Sequence, residues 1–400
     1  MKKILIILLI VLVILGAIFF VAFLVFRSRP SEEVTIEESV PIEAQKVIQD
    51  DAKFSDLPEI NYQDRIDFSN VNIKDFNSTS YVFDSDNDIH YFQPPDKFYK
   101  YNVNTKKAEI EIQYNFEPEI EQLPHYVYWS PDFNKVLVNY IKDGKRNIVT
   151  IDLKTGELSR LNKNIKFANW IDNEKILYMY YNPIDQYSLN VADGDGKNWQ
   201  KLEIDSFAET LDPDLGYNIV LSPDKKKAII FPSFSELAES DSLIVDLYTS
   251  EAIIIPLEKD QILNVRWSPG SDKIIYESLD DELFNKLSIY DIVNDNYLDL
   301  NIHAYVHNMS FLDNDRIIVG VPDIVQIEYS YNWGTEEPIY PEVDSITYAL
   351  QTIDLKTMEL KSLNRLVKGQ DNIDPVKIHF DPIGDELYIV STDKVYVVEN

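Results

Sequence analysis

The stretch YVYWSPDFNKVLVNY, residues 126–140, sets two apolar β-type runs on either side of a Trp129-Ser130-Pro131-Asp132 turn. A large apolar residue closes the first run, Ser or Asp suits the first turn position, and Pro presets φ at the second. The alternating run that follows reads as the next strand of a meander. The unit then returns along the chain. Leu221-Ser222-Pro223-Asp224, Trp267-Ser268-Pro269-Gly270 and Phe380-Asp381-Pro382-Ile383 are close copies. Looser copies start at Phe83, Trp170 and Phe311. Each anchor precedes a β-rich run such as KVLVNYI, KILYMYY, KAIIF, KIIYES, RIIVGV or ELYIVS.

A second signature follows most anchors: IVTIDLKTGEL, SLNVADGDGKNWQKL, LIVDLYTSEA, SIYDIVNDNY and LQTIDLKTMEL, with YKYNVNTKKAE first in the chain. Each reads as strand, tight polar turn, strand. From anchor to the acidic residue before the turn the distance is 23 residues for Trp129–Asp152 and Trp170–Asp193, 25 for Leu221–Asp246 and 24 for Trp267–Asp291. That constant register defines a four-stranded unit. Successive anchors from Phe83 to Phe311 lie 46, 41, 51, 46 and 44 residues apart, the period of propeller blades. The gap of 69 from Phe311 to Phe380 holds an insertion.

The fold class is therefore all-β, a β-propeller of seven blades, with six or eight as the neighbouring counts. The last copy supplies three strands, KIHFDP, ELYIVS and KVYVVEN. A closed ring needs a fourth, because an incomplete blade leaves an unpaired edge. The strand-like stretch DRIDFSNVNIKDF has no place in the first blade, so part of it, around Val71–Phe76, is expected to complete the last one.

The WSPD turn followed by Lys and a β-run, then IDLKTGEL or ADGDGKNW, resembles the TolB-type propeller repeat, a WD-like repeat that also occurs in the N-terminal propeller of the dipeptidyl-peptidase IV group. The resemblance covers about residues 80–400, is clearest at Trp129, Leu221 and Trp267, and implies fold rather than function. TolB-like proteins carry an α/β domain ahead of the propeller, where this chain shows only a stalk. The peptidases carry an α/β-hydrolase domain after it, whereas here the last repeat runs to the end of the sequence. No G-x-S-x-G nucleophile elbow is present, so neither family's activity nor its partners carry over.

Residues 4–26, ILIILLIVLVILGAIFFVAFLVF, contain no polar side chain. As a helix rising ~1.5 Å per residue the segment would span the roughly 30 Å hydrocarbon layer. It exceeds a signal-peptide core, and no small-x-small site precedes Arg27, so an uncleaved signal-anchor is expected. The domain plan is a cytoplasmic tail at 1–3, a transmembrane helix at 4–26, an acidic stalk at 27–60 and the propeller at 61–400. Lys2 and Lys3 lie ahead of the span, Arg27 and Arg29 directly after it, and Glu32, Glu33, Glu37 and Glu38 beyond; on this balance the positive-inside rule favours the N-terminus in the cytoplasm and the propeller outside the cell membrane.

The formal net charge of −31 argues against nucleic acid as a partner and keeps a large β-protein soluble. The chain has no cysteine, which removes disulfides, thiolate catalysis and Cys-ligated zinc. Asp193-Gly194-Asp195-Gly196 opens like a calcium loop, but Ile204 stands where an EF-hand needs its twelfth-position Glu, and the string also suits a hairpin turn. His303 and His307 in HAYVH lack the Glu of H-E-x-x-H, and the local pattern reads as strand. No cofactor, metal or catalytic residue is therefore assigned.

The insertion at 322–346, PDIVQIEYSYNWGTEEPIYPEVDSI, is expected between the second and third strands of the sixth blade. Long loops on rigid scaffolds often bind, and Tyr and Trp are favoured at interface hot spots. Tyr329, Tyr331, Trp333 and Tyr340 are the candidate partner contacts; a β-extension packing on its own blade is the alternative. The sequence points to a non-catalytic, membrane-tethered, extracytoplasmic module that binds a protein, peptide or glycan of the envelope. The rival is a sugar hydrolase or lyase using a carboxylate pair at the ring's axis.

Overall fold

The computed structural model describes residues 62–67 and most of 81–398, the longest stretches left out of the latter being 114–121, 233–240, 256–261, 323–329, 332–337 and 340–346. The described strands form seven four-stranded antiparallel sheets, the blades of a β-propeller. Blade 2 shows the local logic. Its strands are Gln122–Trp129, Lys135–Lys142, Lys145–Asp152 and Leu158–Arg160, joined in sequence order. Blades 1 and 3 to 6 begin with Tyr81–Phe83, Ile165–Trp170, Tyr217–Leu221, Asn264–Trp267 and Met309–Phe311. Each first strand ends on its anchor. First strands contact those of neighbouring blades, as in blades 2 with 3, 3 with 4, 4 with 5 and 6 with 7, and so line the axis. Fourth strands such as Lys107–Gln113 and Ala252–Ile254 are largely exposed and form the outer edges.

Blade 7 joins the two ends of the described chain. Pro375–Asp381, Glu386–Ser391 and Lys394–Val398 are followed in the sheet by Tyr62–Asp67, which pairs with Lys394–Val398 from Tyr62↔Val398 to Asp67↔Lys394 with a bulge near Ile66. The pairing strand thus lies upstream of Val71–Phe76, which falls outside the described residues. Both stretches alternate, so pattern alone did not separate them.

The second and third strands are apolar on both faces because each blade is covered by two neighbours. Among the described residues the core is accordingly divided into seven clusters, one at each blade interface. One cluster joins Phe92 and Phe98 of blade 1 to Val127, Trp129 and Val138 of blade 2. Another joins Ile89, Tyr91 and Tyr101 of blade 1 to Tyr388, Val390, Val395 and Val397 of blade 7, and completes the ring.

The turns between first and second strands repeat one hydrogen-bond set. Ser130 Oγ donates to Asp132 Oδ1 at 2.7 Å and accepts from Lys135 N at 2.9 Å. Ser222 does the same with Asp224 and Lys227, and Ser268 with Asp272 and Lys273. The hairpins between third and fourth strands repeat another. Asp152 Oδ1 accepts from Lys154 N and Thr155 N, and Asp246, Asp291 and Asp354 act alike. The acidic residue that fixes the repeat register is thus the acceptor of an Asx turn.

Candidate functional site at the axial rim

Strand order places two kinds of connection on opposite faces. The turns after first and third strands share one face; the connections after second and fourth strands share the other, where first strands begin. The insertion belongs to this second face, since Arg316–Pro322 and Tyr348–Asp354 of blade 6 pair as far as Pro322↔Tyr348. Within it, Ser330–Tyr331 pairs with Pro338–Ile339 as a short ribbon. Tyr329, Trp333 and Tyr340 lie outside the described residues, as does the side chain of Tyr331.

Four basic residues from three blades stand on or beside the first strands that line the axis. Arg266 lies on the first strand of blade 5, and its Nη1 donates to the carbonyl of Met309, the first residue of the first strand of blade 6. His307 stands just upstream on a 3₁₀ turn, Val306–Asn308, rather than on a strand. That turn touches the first strands of both blade 5 and blade 7. Lys377 and His379 lie two apart on the first strand of blade 7 and so share one face. Stacking fixes both imidazoles: His379 on Phe83 of blade 1 with centroids 4.2 Å apart and 9° between planes, and His307 on Tyr305 at 5.0 Å and 21°.

Their charges act on one another. Burial, then the charge of Arg266, brings Lys377 down to about 7. Burial, with Arg266 and Lys377, holds His307 at about 4. Burial, then Lys377 and Arg266, takes His379 down to about 3 against the opposing pull of Asp381. At neutral pH the rim therefore carries a guanidinium, a partly charged amine and two neutral imidazoles.

Sequence reasoning weighed His307 only within HAYVH and missed Arg266, Lys377 and His379; the four are spread over more than a hundred positions, from Arg266 to His379. The available signal was faint: basic residues at half-buried positions on first strands of an otherwise acidic chain.

The acidic candidates are absorbed by structure. A cleft of about 450 Å³ between blades 2 and 3 is lined by Asp152, Glu157, Glu174, Asp193 and Asp195 with Lys135. Glu174 is paired with Lys135 Nζ at 2.7 Å, Asp195 with Lys197 Nζ at 2.7 Å, and Asp193 Oδ2 accepts from Asn198 Nδ2 at 2.7 Å. Gly194 is demanded by packing, because a Cβ there would stand 2.8 Å from the Trp170 ring. These contacts are those of a hairpin turn, and they account for the residue types of Asp193-Gly194-Asp195-Gly196.

In blade 1, buried His90 lies 3.0 Å from Asp84 Oδ2 and 3.3 Å from Glu111, while Lys100 Nζ bridges Asp84 at 3.1 Å and Asp88 at 3.0 Å. In blade 5, buried Glu277 accepts from Val306 N at 3.0 Å and from Asn285 Nδ2. Burial pushes its carboxyl up, against those two donors. Among the described residues no group of three or more His or carboxylate side chains is arranged to hold a metal.

No protein-family model matches the chain, and no curated protein matches it in sequence. Solved structures do match. A chain of the mitotic checkpoint complex is 10% identical with a TM-score of 0.51, over 88% of this chain and 97% of that one. A prolyl endopeptidase chain is 10% identical with a TM-score of 0.50, over 82% of this chain and 51% of its own length. A putative TolB from Agrobacterium tumefaciens is 12% identical with a TM-score of 0.37, over 74% and 94%. At these identities the first two likenesses concern fold alone, and the third is too low in TM-score to carry an argument. The fold they share with this chain hosts unrelated functions, so function rests on the side chains of the site rather than on the fold.

Proposed function

We propose that the chain is a non-catalytic binding module: a propeller held at the outer side of a cell membrane by residues 4–26, taking a protein, peptide or glycan partner. The observation that carries this reading is the fate of the repeated acids. Asp132, Asp152, Asp224, Asp246, Asp291 and Asp354 each hold a turn. Tyr329, Tyr331, Trp333 and Tyr340 of the insertion are the proposed partner contacts.

The anchor rests on the unbroken apolar run of 4–26. Among the described residues no helix is long and apolar enough to cross a membrane, and 4–26 lies outside them. The cysteine-free chain makes its topology simple to measure. Lys197 is 78% exposed on a hairpin, so Lys197→Cys should react with a membrane-impermeant maleimide on intact cells. Labelling that needs permeabilised cells would place the propeller inside.

Binding is tested by capturing envelope extract on the full chain and on a variant lacking 324–344. The deletion should keep the far-ultraviolet spectrum of the ring and lose the captured partner. Equal capture by both chains would remove the insertion from the interface.

A further inference from the structure

The cleft between blades 2 and 3 keeps polar groups that the turns do not use. Val149 and Ile151, on the third strand of blade 2, pack toward blade 1, and Ile148 packs with Trp170 of blade 3. Alternation along the strand therefore aims Thr150 and Asp152 toward blade 3 as well. Ser159 stands directly opposite Thr150 on the fourth strand. All three line the cleft of about 450 Å³. Thr150 is 7% exposed, yet its hydroxyl has no hydrogen-bond partner among the described residues, and neither has that of Ser159. A buried hydroxyl without a partner is unfavourable. Two places before the hairpin aspartate, blades 3, 4 and 5 fill the wedge with Val191, Ile244 and Ile289; blade 6 has Thr352, less buried than Thr150. The carboxylates supply the charge. Asp152 Oδ1 accepts from Lys154 N and Thr155 N, which leaves Oδ2 without a donor among the described residues. Glu157, Asp193 and Asp195 add negative charge around it. Lys135 on the cleft wall is held by Glu174 Oε2 at 2.7 Å and the Asn173 carbonyl at 3.0 Å.

We propose that this cleft receives a primary ammonium group, from a lysine side chain of a peptide or from a free diamine. Thr150 Oγ1, Ser159 Oγ and Asp152 Oδ2 are its three acceptors. An ammonium carries three donors and no acceptor, which matches that set in number and kind. Residues directly opposite in a sheet stand about 4.5–5.5 Å apart at Cβ, so both hydroxyls come within reach of one nitrogen. A guanidinium instead prefers the fork of a single carboxylate, and Asp152 Oδ1 is already taken by the backbone. Acceptors fixed on paired strands before the ligand arrives reduce the ordering cost of binding. The site lies on the face of the hairpins, involves none of the insertion, and stands whether or not the insertion binds a partner.

The test is a titration of the full chain in detergent micelles, at constant ionic strength, with three compounds in turn. Nα-acetyl-lysine methylamide and putrescine carry the ammonium; Nα-acetyl-norleucine methylamide carries the stem without it. The readout is the indole 15N–1H NMR spectrum, in which five tryptophans give five signals. Trp170 lines the cleft and Trp267 lies two blades away, and Trp170→Phe and Trp267→Phe assign them. We expect a saturable shift of the Trp170 signal with an ammonium compound, none with the norleucine compound, and a fixed Trp267 signal. Saturation by the lysine compound assigns a peptide side chain; saturation by putrescine alone assigns a free diamine. Asp152→Asn keeps an acceptor for the turn and should weaken binding about tenfold, or about 1.4 kcal/mol. Thr150→Val keeps the shape and should weaken it about threefold. Asp246→Asn, the equivalent change in blade 4, should leave binding unchanged. Absence of any saturable indole shift with both ammonium compounds would overturn the proposal, and that result needs no variant to fold. An equal shift with the norleucine compound, or undiminished binding by both Asp152→Asn and Thr150→Val, would overturn it as well.

Discussion

The indole of Trp170 is 1% exposed, and its Nε1 donates to the Tyr128 carbonyl of the preceding blade at 3.0 Å. Trp267 repeats the contact on Val220 at 3.1 Å. Tyr128 and Val220 each directly precede their own blade's anchor, so these tryptophans stitch first strand to first strand while filling the wedge between blades. Trp129 fills its wedge too, yet its buried Nε1 finds no acceptor among the described residues. The three positions should therefore differ. Trp170→Phe and Trp267→Phe each strand a buried carbonyl and leave a void, a loss of about 2–3 kcal/mol. Trp129→Phe loses volume only and should cost about 1 kcal/mol less. Urea midpoints of the three variants check the order; equal losses would mean the indole bonds contribute nothing. The anchors themselves were legible in the sequence, because a large apolar residue before a Ser-Pro turn has few other uses. The hydrogen bond was not, since Tyr128 lies 42 residues from Trp170.

In blades 2, 4, 5 and 6 the hairpin between third and fourth strands closes on a residue in the left-handed region, four positions after its aspartate. Gly156 has φ 73°, Ser250 62°, Asp295 48° and Met358 58°. Only glycine takes this conformation without steric cost. Ser250→Gly is expected to stabilise blade 4 by about 0.5–1 kcal/mol, since the Ser250 N–H to Asp246 carbonyl bond at 2.9 Å needs no side chain. A fall in the urea midpoint would show that Ser250 supplies something its backbone does not. The aspartates of these hairpins were readable as a register mark. The left-handed slot was not, because Gly, Ser, Asp and Met share no side-chain property there, only a φ. The closing strand was misplaced for a related reason. Tyr62–Asp67 and Val71–Phe76 alternate alike, and the choice between them rests on pairing with Lys394–Val398, which no local pattern encodes. The grouping of basic residues on first strands was hidden by the same distance, as Arg266 and Lys377 stand on blades 5 and 7.

Among the described residues the apolar core lies in seven wedges between seven blades, so the ring's integrity depends on the last seam as much as on any other. Deleting 62–67 should remove one edge of blade 7 and lower the melting temperature sharply, whereas deleting 71–76 should leave that sheet intact. A similar melt for both deletions would mean that Tyr62–Asp67 does not secure the closure. The seam also has a timetable. During synthesis Tyr62–Asp67 leaves the ribosome more than three hundred residues ahead of Lys394–Val398. At about 5–20 residues per second its partner is then roughly 15–70 s away. Throughout that wait a nascent strand with open hydrogen-bonding groups is exposed to every other chain nearby. Asp64, Arg65 and Asp67 put charge along it, a composition that discourages strangers from pairing while the rest of the circle is being made.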